Sequence, residues 1–226
     1  SLSNVVNGNY TYLGNVTAAP SLRCVSVNPN GTIDITWDTT GLNFTNYNEY
    51  EIYRNGTLLT TVNDKNTLTY TDATANGNTA SYSYYMLTKS GCTGNVSSPT
   101  NSATLNSIFL TAVNNSTTSN PATANLSWVD LPLIASSGNY NVFSDYTTPA
   151  APSNIGNTTS LSFSENVVDC DTGITYYIRV IDNIGCFSQS NIVSNNYTYL
   201  GNVTAAPSLR CVSVNTNGSI ELTWDT

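Results

Sequence analysis

Apolar residues in this chain recur at every second position in short runs, and the runs are broken by Asn, Gly and Asp about every 8–12 residues. Alternation of this kind predicts half-buried β-strands, and the spacing is that of a β-sandwich. In the first half the pattern predicts strands over 21–27, 32–37, 48–54, 57–62, 67–71, 80–88 and 97–105. Asn30-Gly31 and Asn55-Gly56 predict hairpin turns, because Asn and Gly tolerate positive φ. The two-residue period points Tyr50 and Ile52 inward, and Glu51 and Tyr53 outward. No helical period is found.

The second half repeats the pattern more loosely. Leu126-Ser127-Trp128 answers Ile35-Thr36-Trp37, and Tyr140-Asn141-Val142 answers Tyr50-Glu51-Ile52. Thr175–Val180 answers Ser83–Leu87, and Ile184-Gly185-Cys186 answers Ser90-Gly91-Cys92. These landmarks predict an all-β chain of two related sandwiches. One covers 15–105 and the other 106–199, divided near Leu105–Ser107.

A longer repeat lies over this one. Residues 1–39 return at 188–226 with 31 of 39 positions identical, at an offset of 187 residues, the spacing from Cys24 to Cys211. The chain thus reads as one period of a tandem array plus the start of the next. Residues 1–14 read as the end of a preceding repeat, and 200–226 as the opening of a truncated third sandwich. NYTYLGNVTAAP is identical at 9–20 and 196–207. A flexible linker would be rich in Gly and Ser. This segment instead offers Tyr10, Tyr12, Leu13 and Val16, and again Tyr197, Tyr199 and Leu200, as apolar area for a stiff junction or an assembly contact.

Composition narrows the function. Charged residues are 9% of the chain and the net charge is −8. That balance argues against nucleic acid and anionic membranes as partners, and no apolar run reaches the ~18 residues of a membrane span. The chain has no His, so the commonest general base is absent, and Ser-His-Asp and Cys-His arrangements cannot be built. No Gly-rich phosphate loop of the required form is present. Glu49 and Glu51 read as solvated residues on an outward strand face. Asp169, Asp171 and Asp182 read as a solvated acidic loop, with a weak Ca²⁺ site as the sharper alternative because the ligands would be hard oxygens. The expectation is a non-enzymatic protein without cofactor or metal.

The chain has five cysteines. Cys211 is the repeat of Cys24, which leaves Cys24, Cys92, Cys170 and Cys186 in one period. Four cysteines allow three pairings. The domain boundary favours one bridge per sandwich, Cys24–Cys92 and Cys170–Cys186. Buried free thiols, or a Zn site lacking any Cys-x-x-Cys pair, are the alternatives. The outward tyrosines suggest either a sugar platform or a contact between subunits.

An early-strand Trp, the strand Tyr50-Glu51-Ile52-Tyr53-Arg54, a Tyr-rich strand leading to Gly-Cys, and a Ser-rich last strand together resemble the fibronectin type III domain. Arg23-Cys24-Val25-Ser26-Val27-Asn28, with Asn30-Gly31 and Ile35-Thr36-Trp37, is similar to repeats of large secreted surface proteins of gliding Bacteroidota. That resemblance implies an extracellular adhesin, spacer or filament subunit, exported by the type IX route and assembling with copies of itself. It also implies surface or prey ligands held by other regions. A glycan-binding adhesin stalk and a spacer module of a secreted carbohydrate-active enzyme are the alternatives.

Overall fold

The structure is a computed structural model, and it describes residues 14–91, 96–114, 122–129, 138–145, 152–167, 174–195 and 208–225. All its regular elements are strands. In the first sandwich these are β1 (Ser21–Val27), β2 (Ile33–Asp38), β3 (Tyr47–Arg54), β4 (Thr57–Val62), β5 (Thr69–Asp72), β6 (Ser83–Ser90), β7 (Val96–Ser97) and β8 (Leu105–Asn106). One sheet runs β1-β2-β5 and the other β4-β3-β6-β7, with β8 also on β6. The second sandwich repeats the arrangement with β9 (Leu110–Asn114), β10 (Ala122–Trp128), β11 (Tyr140–Asp145), β12 (Ser153–Thr158), β13 (Ser162–Val167), β14 (Ile174–Ile181), β15 (Phe187–Gln189) and β16 (Val193–Asn195). Its sheets are β13-β10-β9 and β12-β11-β14-β15, with β16 also on β14. This three-on-four packing of antiparallel strands is the fibronectin type III arrangement. A last hairpin, β17 (Ser208–Val214) and β18 (Ile220–Asp225), stands apart as a two-stranded sheet.

Alternation accounts for the cores. Val25, Ile33, Ile35, Tyr50, Ile52, Tyr84 and Met86 are fully buried in the first sandwich, and Val142, Ile174, Tyr176 and Ile178 in the second. Each core centres on a Trp edge-on to a Tyr: Trp37 and Tyr50 at 6.0 Å, Trp128 and Tyr140 at 5.3 Å between ring centroids. Geometry of this kind suits the ring quadrupoles. Asn55 and Gly56 both have positive φ, 49° and 80°, so the β3–β4 hairpin closes in two residues as a type I′ turn.

One strand expectation changes. The run 97–105 is not one strand but the fragments β7 and β8 on either side of Pro99, which has no N–H to give a ladder. Serine hydroxyls complete the pairing. Thr88 N–H donates to Ser98 Oγ (3.2 Å) and Met86 N–H to Ser102 Oγ (2.9 Å). In return, Ser98 and Ser102 amides donate to the carbonyls of Thr88 (2.7 Å) and Met86 (2.9 Å). Ser190 does the same for Ile178 in the second sandwich, with both bonds at 2.9 Å.

Glu51 lies on the outer face of β3 as expected, but it is not solvated. It is 7% exposed, because Tyr53 OH donates to its Oε2 (3.1 Å) and Lys89 Nζ lies 3.6 Å from Oε1. The neighbours on a pleated face cover it.

Candidate functional site: the junction between the sandwiches

β1 and β15 are edge strands of different sandwiches, and an open sheet edge is a row of unpaired backbone groups. Here each edge meets the other. Val25 N–H donates to Ser188 Oγ, and Gln189 N–H donates to Ser26 Oγ, both at 3.0 Å. The hydroxyl substitution that completes β6 and β14 inside each sandwich is used again between them.

A β-bulge sets up the covalent part. Leu22 pairs with Trp37 and Cys24 with Thr36, so Arg23 is the extra residue on β1. A bulge re-aims side chains at a strand edge. It breaks the alternation, leaving Cys24 and Val25 both buried. Val25 fills its own core, while Cys24 bonds to Cys186, 162 residues further on, with Cα atoms 6.2 Å apart.

Cys186 is presented by the turn between β14 and β15. Asp182 organises that turn, since its Oδ1 accepts the amides of Ile184 (3.0 Å) and Cys186 (2.8 Å). Gly185 takes φ of +88° there, a conformation glycine adopts at little cost. Asp182 Oδ2 faces the other sandwich and accepts from Arg23 Nε at 2.9 Å and from Arg23 Nη2. Burial raises the Asp182 pKa, but the Arg23 hydrogen bond and the two amides outweigh it and hold the group below its usual value. The carboxylate therefore strengthens the junction at neutral pH. That contribution is complete above the unfolded carboxyl pKa of about 4 and fades as pH falls through the lower folded value. Small-angle scattering at pH 7 and pH 2.5 is expected to show a looser junction in acid, with a smaller difference in Asp182→Asn.

The link between the sandwiches is short and held at both ends. Ser107 donates its amide to Tyr82 O (2.8 Å), accepts from Tyr82 N–H at Oγ (2.9 Å), and accepts Ser81 Oγ at its carbonyl (2.6 Å). Asn191 brackets Leu110, accepting its N–H (2.7 Å) and donating to its carbonyl (3.0 Å). Ile108 between them is fully buried.

These contacts correct the pairing of the cysteines. Cys24 and Cys186 are bridged, but to each other, so Cys24–Cys92 and Cys170–Cys186 do not form here. Assigning one bridge to each sandwich assumed that disulfides close within a domain. The bulge turns Cys24 out of its own domain instead. Cys92 and Cys170 lie outside the described residues, as do Asp169 and Asp171. Asp182, the third member of the acidic set, has its oxygens committed to Arg23 and the turn amides. The ligand atoms of Cys24, Asp182 and Cys186 lie within 4.8 Å of one another, but the two sulfurs are bonded to each other.

Of the junction residues expected from the repeated segment, Tyr10, Tyr12, Leu13, Tyr197, Tyr199 and Leu200 lie outside the described residues. Val16 is buried and donates its N–H to Ser90 Oγ at 3.2 Å. Asn46 Nδ2 donates to Gly14 O at 2.6 Å. The end of the segment is thereby seated on the first sandwich, at the end of β6 and at the residue that precedes β3.

Among the described residues, the outward aromatics form one stacked pair per sandwich at corresponding positions. Tyr53 and Tyr85 lie 4.7 Å apart and 6° from parallel, Phe143 and Tyr177 4.8 Å apart and 5° from parallel. Arg179 covers the second pair, 5.3 and 5.4 Å from the two centroids. The rings are cross-strand partners, and each spends a face on its neighbour.

No family model and no curated protein matches this chain. Among solved structures it is similar to the central fibronectin-III array of RIM-binding protein, at 12% identity, over 91% of this chain and 79% of that one, with a TM-score of 0.33.

Proposed function

We propose that the chain is a non-enzymatic structural repeat of an extracellular bacterial surface filament or adhesin, whose task is to span distance and to present the same lateral surface at each period. The observation that carries this reading is the junction. Flexibly linked domains need no bridge between them, yet here a disulfide, an Arg–Asp pair and reciprocal serine hydrogen bonds fasten one sandwich to the next. Disulfides persist in oxidising compartments, which favours a place outside the cytoplasm. The near-identical repeat at an offset of 187 residues favours a stiff array over a single binding module, and the likeness to surface proteins of gliding Bacteroidota supplies the biological setting. Partners on this reading are further copies of the chain, with adhesive ligands held elsewhere.

Immuno-electron microscopy of cells that make the protein is the direct test. Antibody is expected to decorate a periodic surface fibre, and diffuse cytoplasmic label would end the reading. The stacked aromatics favour a glycan-binding stalk as the second reading. A glycan array probed with the intact chain separates the two: binding that Tyr53→Ala or Tyr177→Ala abolishes supports the stalk, and no binding supports the spacer.

A further inference from the structure

β17–β18 is a second copy of β1–β2 in register as well as in sequence. Leu209 pairs with Trp224 and Cys211 with Thr223, so Arg210 is bulged as Arg23 is. Its surroundings are opposite. Trp224 is 55% exposed where Trp37 is 1%, and Leu209 60% where Leu22 is 1%. Cys211 is exposed and unbonded. The hairpin thus carries every group that β1 uses at the junction: the bulged Arg210, Cys211, the Val212 amide and the Ser213 hydroxyl.

We propose that the edge of β17 is a docking strip for the Asp182–Gln189 turn of the following period, and that Cys211 closes a disulfide with that period's counterpart of Cys186. The occupant is identified by the first strip, where this same turn sits on the same residues within the structure. The inference rests on the tandem-array reading but not on fibre formation. It makes the bridge a staple recurring once per period, joining the first sandwich of each period to the second. The chemistry is thiol–disulfide exchange with a small-molecule disulfide as oxidant. The Cys211 thiolate attacks the small disulfide and displaces one small thiol. The incoming cysteine thiolate then attacks the mixed disulfide and displaces the second. Two protein thiols lose two electrons and two protons, and one small disulfide becomes two small thiols.

The test is a two-period chain in which residues 40–226 follow directly after Thr226, preserving the 187-residue offset. It is oxidised in a glutathione redox buffer and mapped without reduction. The expected product holds Cys24–Cys186 and, in addition, Cys211 joined to the second-period counterpart of Cys186. Arg210→Ala is expected to lower occupancy of the second bridge by about tenfold, the scale of a charge-assisted hydrogen bond, while the first bridge is unchanged. The first bridge is the internal control for folding. If it forms while Cys211 stays free or joins any other cysteine, the proposal is overturned. If neither bridge forms, the strip itself is refuted at both sites. A second bridge in a chain that makes no fibres would leave this inference standing and remove the filament reading.

Discussion

Asp72→Ala is expected to destabilise the first sandwich by about 3 kcal/mol, because it leaves buried donors without an acceptor. Asp72 is fully buried. Its Oδ2 accepts from Arg54 Nη1 (2.8 Å) and Tyr84 OH (2.9 Å), and its Oδ1 from the amides of Thr74 (3.0 Å) and Ala75 (3.1 Å) and from Thr74 Oγ1 (2.8 Å). Burial alone would raise its pKa, yet the bonds from Thr74, Tyr84 and Arg54 together hold it below the usual carboxylate value. Burial and the Asp72 charge push the Tyr84 hydroxyl far up, so it remains a donor. For a sandwich of this size a loss of that order lowers Tm by more than ~10 °C. Hydrogen exchange read on β6 peptides assigns the loss to this sandwich. Protection there within a few tenths of a kcal/mol of wild type would defeat the prediction. Glu165 occupies the matching place in the second sandwich, opposite Ala124 as Asp72 is opposite Ile33. Asp72→Val is expected to fare no better than Asp72→Ala, since it too strands Arg54 and Tyr84.

Cutting the Cys24–Cys186 bridge, by reduction or by Cys24→Ser, is expected to open the junction while both sandwiches stay folded. The bridge closes a long loop, and the usual contribution of such a link is about 2–4 kcal/mol. Here that free energy resists separation of the two edges rather than unfolding of either core, because each core has its own Trp–Tyr centre. Small-angle scattering should show a larger radius of gyration, and proteolysis should reach the 107–110 link within the time the oxidised chain survives. An unchanged scattering profile on reduction would mean that the Arg23–Asp182 pair and the serine bonds suffice, and that the disulfide is incidental to stiffness.

The strands were legible because alternation is a local property. Ser21–Val27 and Thr57–Val62 match their predicted bounds, and the Asn55-Gly56 turn carries its own conformational signal in its two residues. The last strand of the first sandwich was misread because serines fit a strand pattern, whereas the break comes from what Pro99 cannot donate. The role of Asp72 is not legible in the sequence, because burying a carboxylate requires donors from three separate stretches, at 54, at 74–75 and at 84, which no window of sequence brings together. The one local sign of the junction is the failure of alternation at Cys24-Val25, where the bulge breaks the two-residue period.

By itself the sequence determined the all-β class, the two related sandwiches, the 187-residue repeat and the want of histidine chemistry. Each of these follows from short-range period, composition or self-similarity. The tertiary structure alone decided which cysteine meets which. Pairing depends on where a bulge aims Cys24 and on which turn of another domain comes within 6.2 Å across a 162-residue separation, and the count and spacing of cysteines along the chain carry no information about either.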